Sequence, residues 1–283
     1  MAKIAIVTDS TADLPTELAE RYGIHIVPNA LVFGEQTFHD GVDITPQEFY
    51  RRLRVDRHLP TTSAASVGDF LRVYARLSRE VEAIVSIHLP QELSAICNSA
   101  LIASRMVKGV SIHVIDSRTA CMGQGFVALE AARAASEGRS LGEILHRVEE
   151  VIPRVNLLAV LDTLEYLRRG GRVPAVASLV TSALQLKPII YLKDGKTSVL
   201  EVPRTKAKAL SRMAEIMEEQ VGRRPVHVAI FHANTLAEAK RVRDEVASRF
   251  DCVELYITEC TPVIGVHTGP GSLGLTFWAE DAR

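Results

Sequence analysis

Residues 83–106, AIVSIHLPQELSAICNSALIASRM, contain the change from strand to helix around which the rest of the chain is arranged. Ala83–Ile87 is a short run rich in β-branched residues, which is typical of a buried strand. Residues 88–92 are polar and include a proline, which predicts a loop. Apolar residues then recur at helical spacing, at Ile96, Ala100, Ala103 and Val107. Ser94 therefore lies where a strand gives way to a helix, as either the helix N-cap or part of a ligand site beyond the strand.

Strand-like and helix-like segments alternate through the first half of the chain. The strand-like runs are Lys3–Thr8, His25–Phe33, Ala83–Ile87 and Val110–Ile115. Residues 34–43 are expected to form a loop or small hairpin, and residues 60–66 a polar loop. Because amphipathic helical patterns separate the main strand-like runs, we predict a parallel sheet flanked by helices.

The order of elements changes after Pro153. Two strand-like runs flank Asp194-Gly195, which is a hairpin signal, and strand and helix patterns then alternate again. A helix is also expected over residues 175–184. We therefore predict two α/β domains: residues 1–153 with a parallel sheet flanked by helices, and residues 154–283 with a mixed sheet and helices.

Composition limits the classes of function. The 283 residues are 47% apolar, enough for two ordinary domains, and the net charge is −1 without a long single-sign run. That balance argues against a nucleic acid partner or a membrane surface. The start of the chain shows no signal peptide, and no apolar run reaches the roughly 18 residues of a membrane span. We expect a soluble cytoplasmic protein without stable membrane insertion.

Cysteines and carboxylates give no sign of a metal site. No two cysteines have C-x-x-C spacing, so neither zinc nor a redox pair is indicated, and buried thiols in a reducing compartment are expected. The carboxylates are scattered without metal-ligand spacing. There is no Walker A pattern, and no G-x-S-x-G elbow surrounds Ser94. We predict no metal, no cofactor and no catalytic residue.

Small polar residues are concentrated in three loops, at residues 9–11, 61–66 and 116–119. Each loop follows a strand or precedes a helix, as Ser94 does. Capping and turn formation account for any one loop alone. Because neighbouring parallel strands end at one edge of a sheet, the loops together predict a cluster of hydroxyl groups there.

Residues 261–274 form a glycine-rich stretch near the end of the chain. Gly269, Gly271 and Gly274 spell G-x-G-x-x-G, but the motif does not open a helix in a βαβ unit, so a dinucleotide site is rejected. What remains is a loop of close backbone approach with His267 beside it. His267 is either structural or functional there.

Basic residues form two groups in the second half. Arg168, Arg169 and Arg172 surround Gly170-Gly171, and Arg204, Lys206 and Lys208 follow the predicted hairpin. They form either a solvated face or, if the groups meet, a patch suited to an acidic partner or a phosphate.

From end to end the chain resembles the DegV family, the bacterial fatty-acid-binding proteins that serve fatty acid kinase. Eight segments in order carry the resemblance: IAIVTDSTADLP at 4–15, TTSAASVGDF at 61–70, LSAICNSA at 93–100, VIDSRTACMGQG at 114–125, LDTLEYLRRGGRV at 161–173, LKPIIYLKDGK at 186–196, RTKAKAL at 204–210 and GVHTGPGSLG at 265–274. The resemblance implies two α/β domains with a fatty acid between or within them.

The resemblance also implies the head-group site. The family's T-S-Q-P-S and L-S-G-T-Y segments fall on residues 62–66 and 93–97, so Thr62, Ser63 and Ser94 inherit contact with the carboxylate, and His267 and Gly269 line the same end. The chain departs from these patterns at Ala64, Ala65, Ala95, Ile96 and Cys97. The hydroxyls are retained, while the shape around them changes.

A kinase partner follows from the same resemblance. The chain would bind a long-chain fatty acid and present it to the separate catalytic protein of fatty acid kinase, without a nucleotide site of its own. We predict that Arg168, Arg172, Arg204 and Lys206 contact that partner. The alternative is a stand-alone hydrolase or acyl transferase that uses Ser94 and His267.

Overall fold

The computed structural model describes residues 3–55, 59–172 and 186–281. The strands, in chain order, are β1 Ile4–Asp9, β2 His25–Val27, β3 Ala30–Phe33, β4 Gln36–His39, β5 Thr61–Ser63, β6 Ala83–His88, β7 Ser111–Asp116, β8 Asn156–Val160, β9 Ile189–Lys193, β10 Lys196–Glu201, β11 Val226–His232, β12 Cys252–Glu259 and β13 Leu273–Ala279.

The α-helices among these residues are α1 Thr16–Tyr22, α2 Pro46–Val55, α3 Val67–Leu77, α4 Ile96–Met106, α5 Met122–Ser136, α6 Leu141–Val151, α7 Glu165–Gly170, α8 Lys206–Val221, α9 Leu236–Arg249 and α10 Pro262–Thr268. None of them is long and apolar enough to cross a bilayer. The helix predicted over residues 175–184 lies outside the described residues.

The first sheet is parallel and has helices on both faces, as predicted. Its strand order is β2-β1-β6-β7, and every residue of β6 is buried. Side chains alternate between the faces: Val7 and Ile84 pack with α3 and α4, whereas Ile6 and Val85 pack with α5. The β-branched run at residues 83–87 is therefore the buried centre of this sheet.

The predicted strand at residues 25–33 is two strands in different sheets. β2 joins the parallel sheet, while β3 is the centre of a three-stranded antiparallel sheet of order β4-β3-β5. The break falls at Pro28, which lacks the N–H that a continuous ladder needs. The loop expected over residues 60–66 is wrong for Thr61–Ser63, which forms β5.

The second half contains the predicted mixed sheet, with strand order β10-β9-β8-β13-β11-β12. β9 and β10 form the expected hairpin, and positive φ angles at Asp194 and Gly195 suit its tight turn. The loop expected beside His267 is wrong for Pro262–Thr268, which forms α10, while the last strand, β13, begins at Leu273. Proline at the first position suits the start of α10.

The two halves share buried side chains. α5 packs Phe126 against a core that also holds Ala229 and Trp278 of the mixed sheet. The predicted domain boundary falls in the 3₁₀ turn Ile152–Arg154, directly before β8. The two halves thus share a core, and residues of both halves line the candidate site.

Candidate functional site

A cavity of about 570 Å³ lies between the mixed sheet and the loops of the first half. This volume is within the range of small-molecule sites. Alternation along β8 builds one wall, since Leu157 and Ala159 face the cavity while Leu158 and Val160 face the core under α8 and α9. The larger apolar side chains of the remaining lining are Leu89, Leu93, Leu161, Leu167, Ile190, Leu192, Phe231, Val263 and Ile264.

Thr62 and His267 form a hydrogen bond at one boundary of the cavity. Oγ1 of Thr62 lies 2.9 Å from Nε2 of His267. Thr62 is held by β5, opposite Leu31 of β3, and His267 lies in the last turn of α10. Burial, together with the charge of Arg172, lowers the pKa of His267 to about 4. The imidazole is therefore neutral near pH 7.

Gly170 fixes the other side of that imidazole. A Cβ at residue 170 would lie 2.3 Å from Nδ1 of His267, so only glycine allows this approach. The guanidinium of Arg172 donates to the carbonyl of Gly170 at 2.6 Å and also lines the cavity. Arg172, predicted as a partner contact, thus lies beside the predicted head-group residues.

Ser63 and Ser94 line the same cavity as Thr62 and His267. The hydroxyl of Ser63 donates to the carbonyl of Ala64 at 3.3 Å. Oγ of Ser94 accepts the N–H of Ile96 at 3.3 Å, which leaves its hydroxyl hydrogen for another acceptor. Ser94 is not the N-cap of α4, because Ala95 occupies that position.

Gly269 occupies a different place from the other predicted site residues. It follows α10 with φ of 73°, and a Cβ there would lie 2.2 Å from Cδ2 of Tyr166. Among the described residues it is not part of the cavity lining. The structure thus brings together Thr62, Ser63, Ser94 and His267, with Gly269 packed behind the end of the helix.

A buried polar network supports the cavity from the first half. Nδ2 of Asn29 donates to Asp9 at 3.1 Å, and Oδ1 of Asn29 accepts the N–H of Ala65 at 3.1 Å. Nδ1 of His88 lies 2.9 Å from the Asp9 carboxylate. Burial opposes ionisation of Asp9, but hydrogen bonds from His88 and Thr11 hold its pKa below the ordinary value. Asn29 and Thr11 reach the cavity lining, so the network fixes the loops around it.

Part of this network was expected from the sequence. Residues 9–11 were predicted to form a polar loop, and His88 was also predicted to lie in a loop, whereas it is the last residue of β6. Gln124, which donates to Asp9 at 2.9 Å, was not selected, because one glutamine in an Ala-rich helix carries no local signal. The polar residues at 116–119 stabilise a turn, as one of the two interpretations expected, since the hydroxyl of Ser117 donates to the carbonyl of Thr119.

The basic residues do not form one uniform surface. Arg168 and Arg204 are exposed. Lys206 is half-buried, and its ammonium contacts Glu238 and the carbonyl of Gly271, each at 2.5 Å. The carboxylate of Asp162 is a third contact, at 3.6 Å from the same ammonium. The charge of Lys206 is thus neutralised within the protein.

Groups suited to a metal ion are absent from residues 3–55, 59–172 and 186–281, where no three His, Cys, Asp or Glu side chains form such a cluster. The polar residues of the cavity lining instead carry hydroxyls, the amide of Asn29, one neutral imidazole and one guanidinium. This set can donate hydrogen bonds to an anion at the end of an apolar chamber.

The chain matches the family model described as "Uncharacterised protein, DegV family" over residues 3–280. It is 40% identical to a DegV domain-containing protein of Halalkalibacterium halodurans, over 99% of this chain and 100% of that protein. The chain belongs to the DegV family. The resemblance drawn from the sequence motifs is confirmed.

Solved structures of this family share the fold. A DegV family protein from Thermus thermophilus, described by its fatty acid binding, superposes with a TM-score of 0.93 at 31% identity, over 99% of this chain and 100% of that one. A stearic-acid-binding protein from Eubacterium ventriosum gives a TM-score of 0.91 at 28% identity, over 99% and 98% of the two chains. These structural neighbours bind fatty acids.

Proposed function

We propose that this protein binds a long-chain fatty acid in the 570 Å³ cavity and presents it to a separate fatty acid kinase. The observation that carries this proposal is that one cavity combines apolar walls for an acyl chain with hydroxyl groups for a carboxylate. Its walls are leucine, isoleucine and phenylalanine side chains, and its boundary holds the hydroxyls of Thr62, Ser63 and Ser94. The fatty acids bound by related proteins support the same ligand class.

The apolar walls favour a long acyl chain. Each buried methylene contributes about 0.8 kcal/mol, so a chain of about 15 methylenes contributes on the order of 12 kcal/mol before the cost of association. Side chains alternate between the two faces of β8 and β9. One face therefore supplies the apolar surface of the cavity, while the other packs in the core under α8. A ligand with a short apolar part would leave most of the chamber unfilled.

The carboxylate is proposed to lie against Thr62, Ser63 and Ser94. A buried carboxylate without partners is unfavourable by several kcal/mol, so clustered donors are required. When the neutral His267 carries its proton on Nε2, it donates to Thr62, and the Thr62 hydroxyl is free to donate to the ligand. Arg172 adds one positive charge nearby.

The hydrolase alternative is less well supported. Nε2 of His267 contacts Thr62 rather than Ser94, and a pKa of about 4 makes this imidazole a weak base near pH 7. Oγ of Ser94 instead accepts a backbone N–H. A serine nucleophile needs a hydrogen-bonded base, which this pair does not provide.

The kinase would convert the bound carboxylate to an acyl phosphate, with the phosphoryl group taken from a nucleoside triphosphate. We propose that its docking surface includes the exposed Arg168 and Arg204, with Arg172 at the boundary of the cavity. Exposed cations increase the rate of association with an acidic surface, and this effect weakens with salt. Lys206 was also predicted to contact the kinase. Because its ammonium pairs with Glu238, we propose that Lys206 stabilises this part of the protein instead. A cytoplasmic location would suit the nucleotide-dependent partner.

Native mass spectrometry of protein purified from cells tests the ligand class. We expect a bound mass in the long-chain fatty acid range that extraction identifies as a free acid. Titration of the delipidated protein with hexadecanoic acid should then reach one equivalent. A protein that is purified without a ligand, does not bind fatty acids and hydrolyses activated esters would support the enzyme alternative instead.

A further inference from the structure

Two cysteines that are far apart in the chain meet beside the cavity. Cys121 directly precedes α5 and Cys260 directly follows β12, and both are buried as free thiols. The thiol of Cys121 lies within hydrogen-bond reach of the sulfur of Cys260. Cysteine spacing does not indicate this pair, because each half of the chain contributes one thiol.

Contacts between the two halves hold Cys260 in place. The N–H of Cys260 donates to the carbonyl of His232 at 2.8 Å, within its own half. The N–H of the next residue, Thr261, donates to the Asp13 carboxylate at 2.9 Å, and its hydroxyl donates to the carbonyl of Ser10 at 3.3 Å. The segment that carries Cys260 is therefore bonded to the first half, which carries Cys121.

Asp13 can act as a base for Cys121. The hydrogen bond with Cys260, together with burial, raises the pKa of the Cys121 thiol well above the ordinary value, so the thiol is protonated near pH 7. The same thiol lies beside the Asp13 carboxyl, whose pKa burial raises to about 7. A carboxylate with a pKa near the ambient pH is suited to take up a proton from a nucleophile.

The cavity gives a small oxidant access to one thiol of the pair. Cys121 contributes to the cavity lining, whereas Cys260 is fully buried and is not among the described lining residues. Cys121 also has a φ of 51° and a ψ of −148°, a backbone conformation that residues other than glycine rarely adopt. An acyl chain in the cavity would cover Cys121.

We infer that Cys121 and Cys260 form a peroxide-sensitive thiol pair, which is oxidised to a disulfide when the cavity is empty and is shielded when an acyl chain fills it. The shielding rests on the proposed function, whereas the pair itself does not. The disulfide joins the start of α5 to the end of β12, and so links the two halves covalently. Disulfides of this kind in reducing compartments are typically redox-sensing.

Oxidation takes two steps. The sulfur of Cys121 attacks one oxygen of hydrogen peroxide, the O–O bond breaks, and the thiol proton passes through Asp13 to the leaving hydroxide, which gives a sulfenic acid and water. The sulfur of Cys260 then displaces the sulfenic hydroxyl, which leaves with the Cys260 proton as a second water. The two sulfurs lose two electrons in total, and the peroxide gains them.

Peroxide treatment of delipidated, fully reduced wild type tests the pair, and mass spectrometry of the digested protein identifies the product. We expect the loss of two hydrogen atoms and a linked peptide that contains Cys121 and Cys260. In Cys260→Ser, Cys121 should instead accumulate as a sulfenic acid that dimedone traps. A wild type that does not form the linked peptide, or that links Cys97 or Cys252 instead, would overturn the pair.

Cys97→Ser is the matched control for the cysteine variant. Cys97 is also buried, but its thiol donates to the carbonyl of Leu89, so this variant should form the disulfide at the wild-type rate. Asp13→Asn should slow the reaction about tenfold or more, whereas Asp40→Asn, which removes the buried carboxyl near Asp13, should slow it less than about twofold. Equal rates in the two aspartate variants would contradict the assignment of Asp13 as the base.

Hexadecanoic acid tests the shielding. At about ten times its dissociation constant, the acid leaves about a tenth of the protein empty, so disulfide formation should slow about tenfold. An unchanged rate in protein that binds the acid by calorimetry would overturn the shielding. If calorimetry shows no binding, the proposed function fails, while the linked peptide in acid-free protein still decides whether the thiol pair exists.

Discussion

Nε2 of His267 lies 2.9 Å from Oγ1 of Thr62, although 205 positions separate the two residues in the chain. The bond joins α10 of the second half to β5 of the first, at the boundary of the cavity. It forms only when the two halves pack together. The proposed head-group site is therefore a product of tertiary structure, and changes that move either partner should reduce ligand binding.

Gly170→Ala should displace His267 without removing any polar group of the site. The new Cβ would lie 2.3 Å from Nδ1 of the imidazole, so the ring must move away from Thr62. We expect fatty acid affinity to fall about tenfold, as for loss of one hydrogen bond to a charged ligand, in a protein that still unfolds cooperatively. Calorimetric titration measures the affinity.

Gly142→Ala is the control for that variant, because a Cβ there would meet no described atom within 4 Å. It should leave affinity unchanged and helix α6 no less stable. In a His267→Ala background, Gly170→Ala should have almost no further effect. A full additional loss in the double variant would show that Gly170 acts elsewhere.

Ser94→Ala should weaken fatty acid binding while leaving α4 intact. Ala95, rather than Ser94, is the N-cap of α4, so the helix loses little. Loss of one hydrogen bond to a charged group is worth roughly 1.5–3 kcal/mol, which calorimetry measures directly. Ser104→Ala, whose hydroxyl bonds to the carbonyl of Leu101 on the same helix, serves as the control. Unchanged affinity in a folded Ser94→Ala protein would remove Ser94 from the site.

The strand–helix unit at residues 83–106 was predictable because its signals are local. A β-branched run and a 3.6-residue apolar period correspond to β6 and α4. β5 was not predictable, since Thr61–Ser63 is polar and extends only by pairing with β3, some thirty positions earlier.

α10 was missed for a related reason. Its sequence contains proline and glycine, which predict a loop. Gly265 instead allows Phe49 and Tyr50 to pack directly on the helix, where a Cβ would lie 2.6 Å from Cε1 of Phe49. Tertiary contact overrides the low helix propensity.

Most of the residues assigned to the candidate site from the family motifs line the cavity. Thr62, Ser63, Ser94 and His267 do so, whereas Gly269, which was expected with them, is not among the described lining residues. The approach of Gly170 to His267 and the placement of Arg172 at the boundary of the cavity depend on how α7 meets α10. No spacing within either segment encodes that contact.

Asp40→Asn should stabilise the protein above neutral pH. Burial raises the pKa of the Asp40 carboxyl from 3.8 to about 7, and the buried Asp13 beside it is affected in the same direction. A raised pKa means that the folded protein binds the proton more tightly. Ionised Asp40 therefore lowers the free energy of unfolding of the wild type. This loss is absent below about pH 4, grows as the pH rises to about 7 and is constant above that pH.

Urea unfolding at pH 4.5, 6 and 8 measures this effect. Relative to wild type, Asp40→Asn should gain roughly 1–3 kcal/mol at pH 8 and little at pH 4.5. The exposed Asp43, whose pKa is lowered by its hydrogen bonds with His39, is the control, and Asp43→Asn should give no gain at pH 8. A gain for Asp40→Asn that does not vary with pH would contradict the assignment.

Charge reversal at Arg168 and Arg204 should prevent phosphorylation of the bound acid by an added fatty acid kinase. Both residues are exposed and neither lines the cavity, so fatty acid affinity should stay within about twofold of wild type. Arg172 is left intact because it lines the cavity. The reversal of two other exposed arginines, Arg79 and Arg241, is the control for net charge. Normal acyl-phosphate formation by the Arg168/Arg204 variant would place docking elsewhere.

A crystal structure of the protein incubated with hexadecanoic acid tests the central claim most directly. We expect continuous density for one acid in the cavity, with its chain along β8 and β9. One carboxylate oxygen should lie within hydrogen-bond distance of Oγ1 of Thr62, and the other near Ser63 or Ser94. A chamber without the acid, or an acid whose carboxylate lies away from Thr62 among the leucine and isoleucine side chains, would contradict the account.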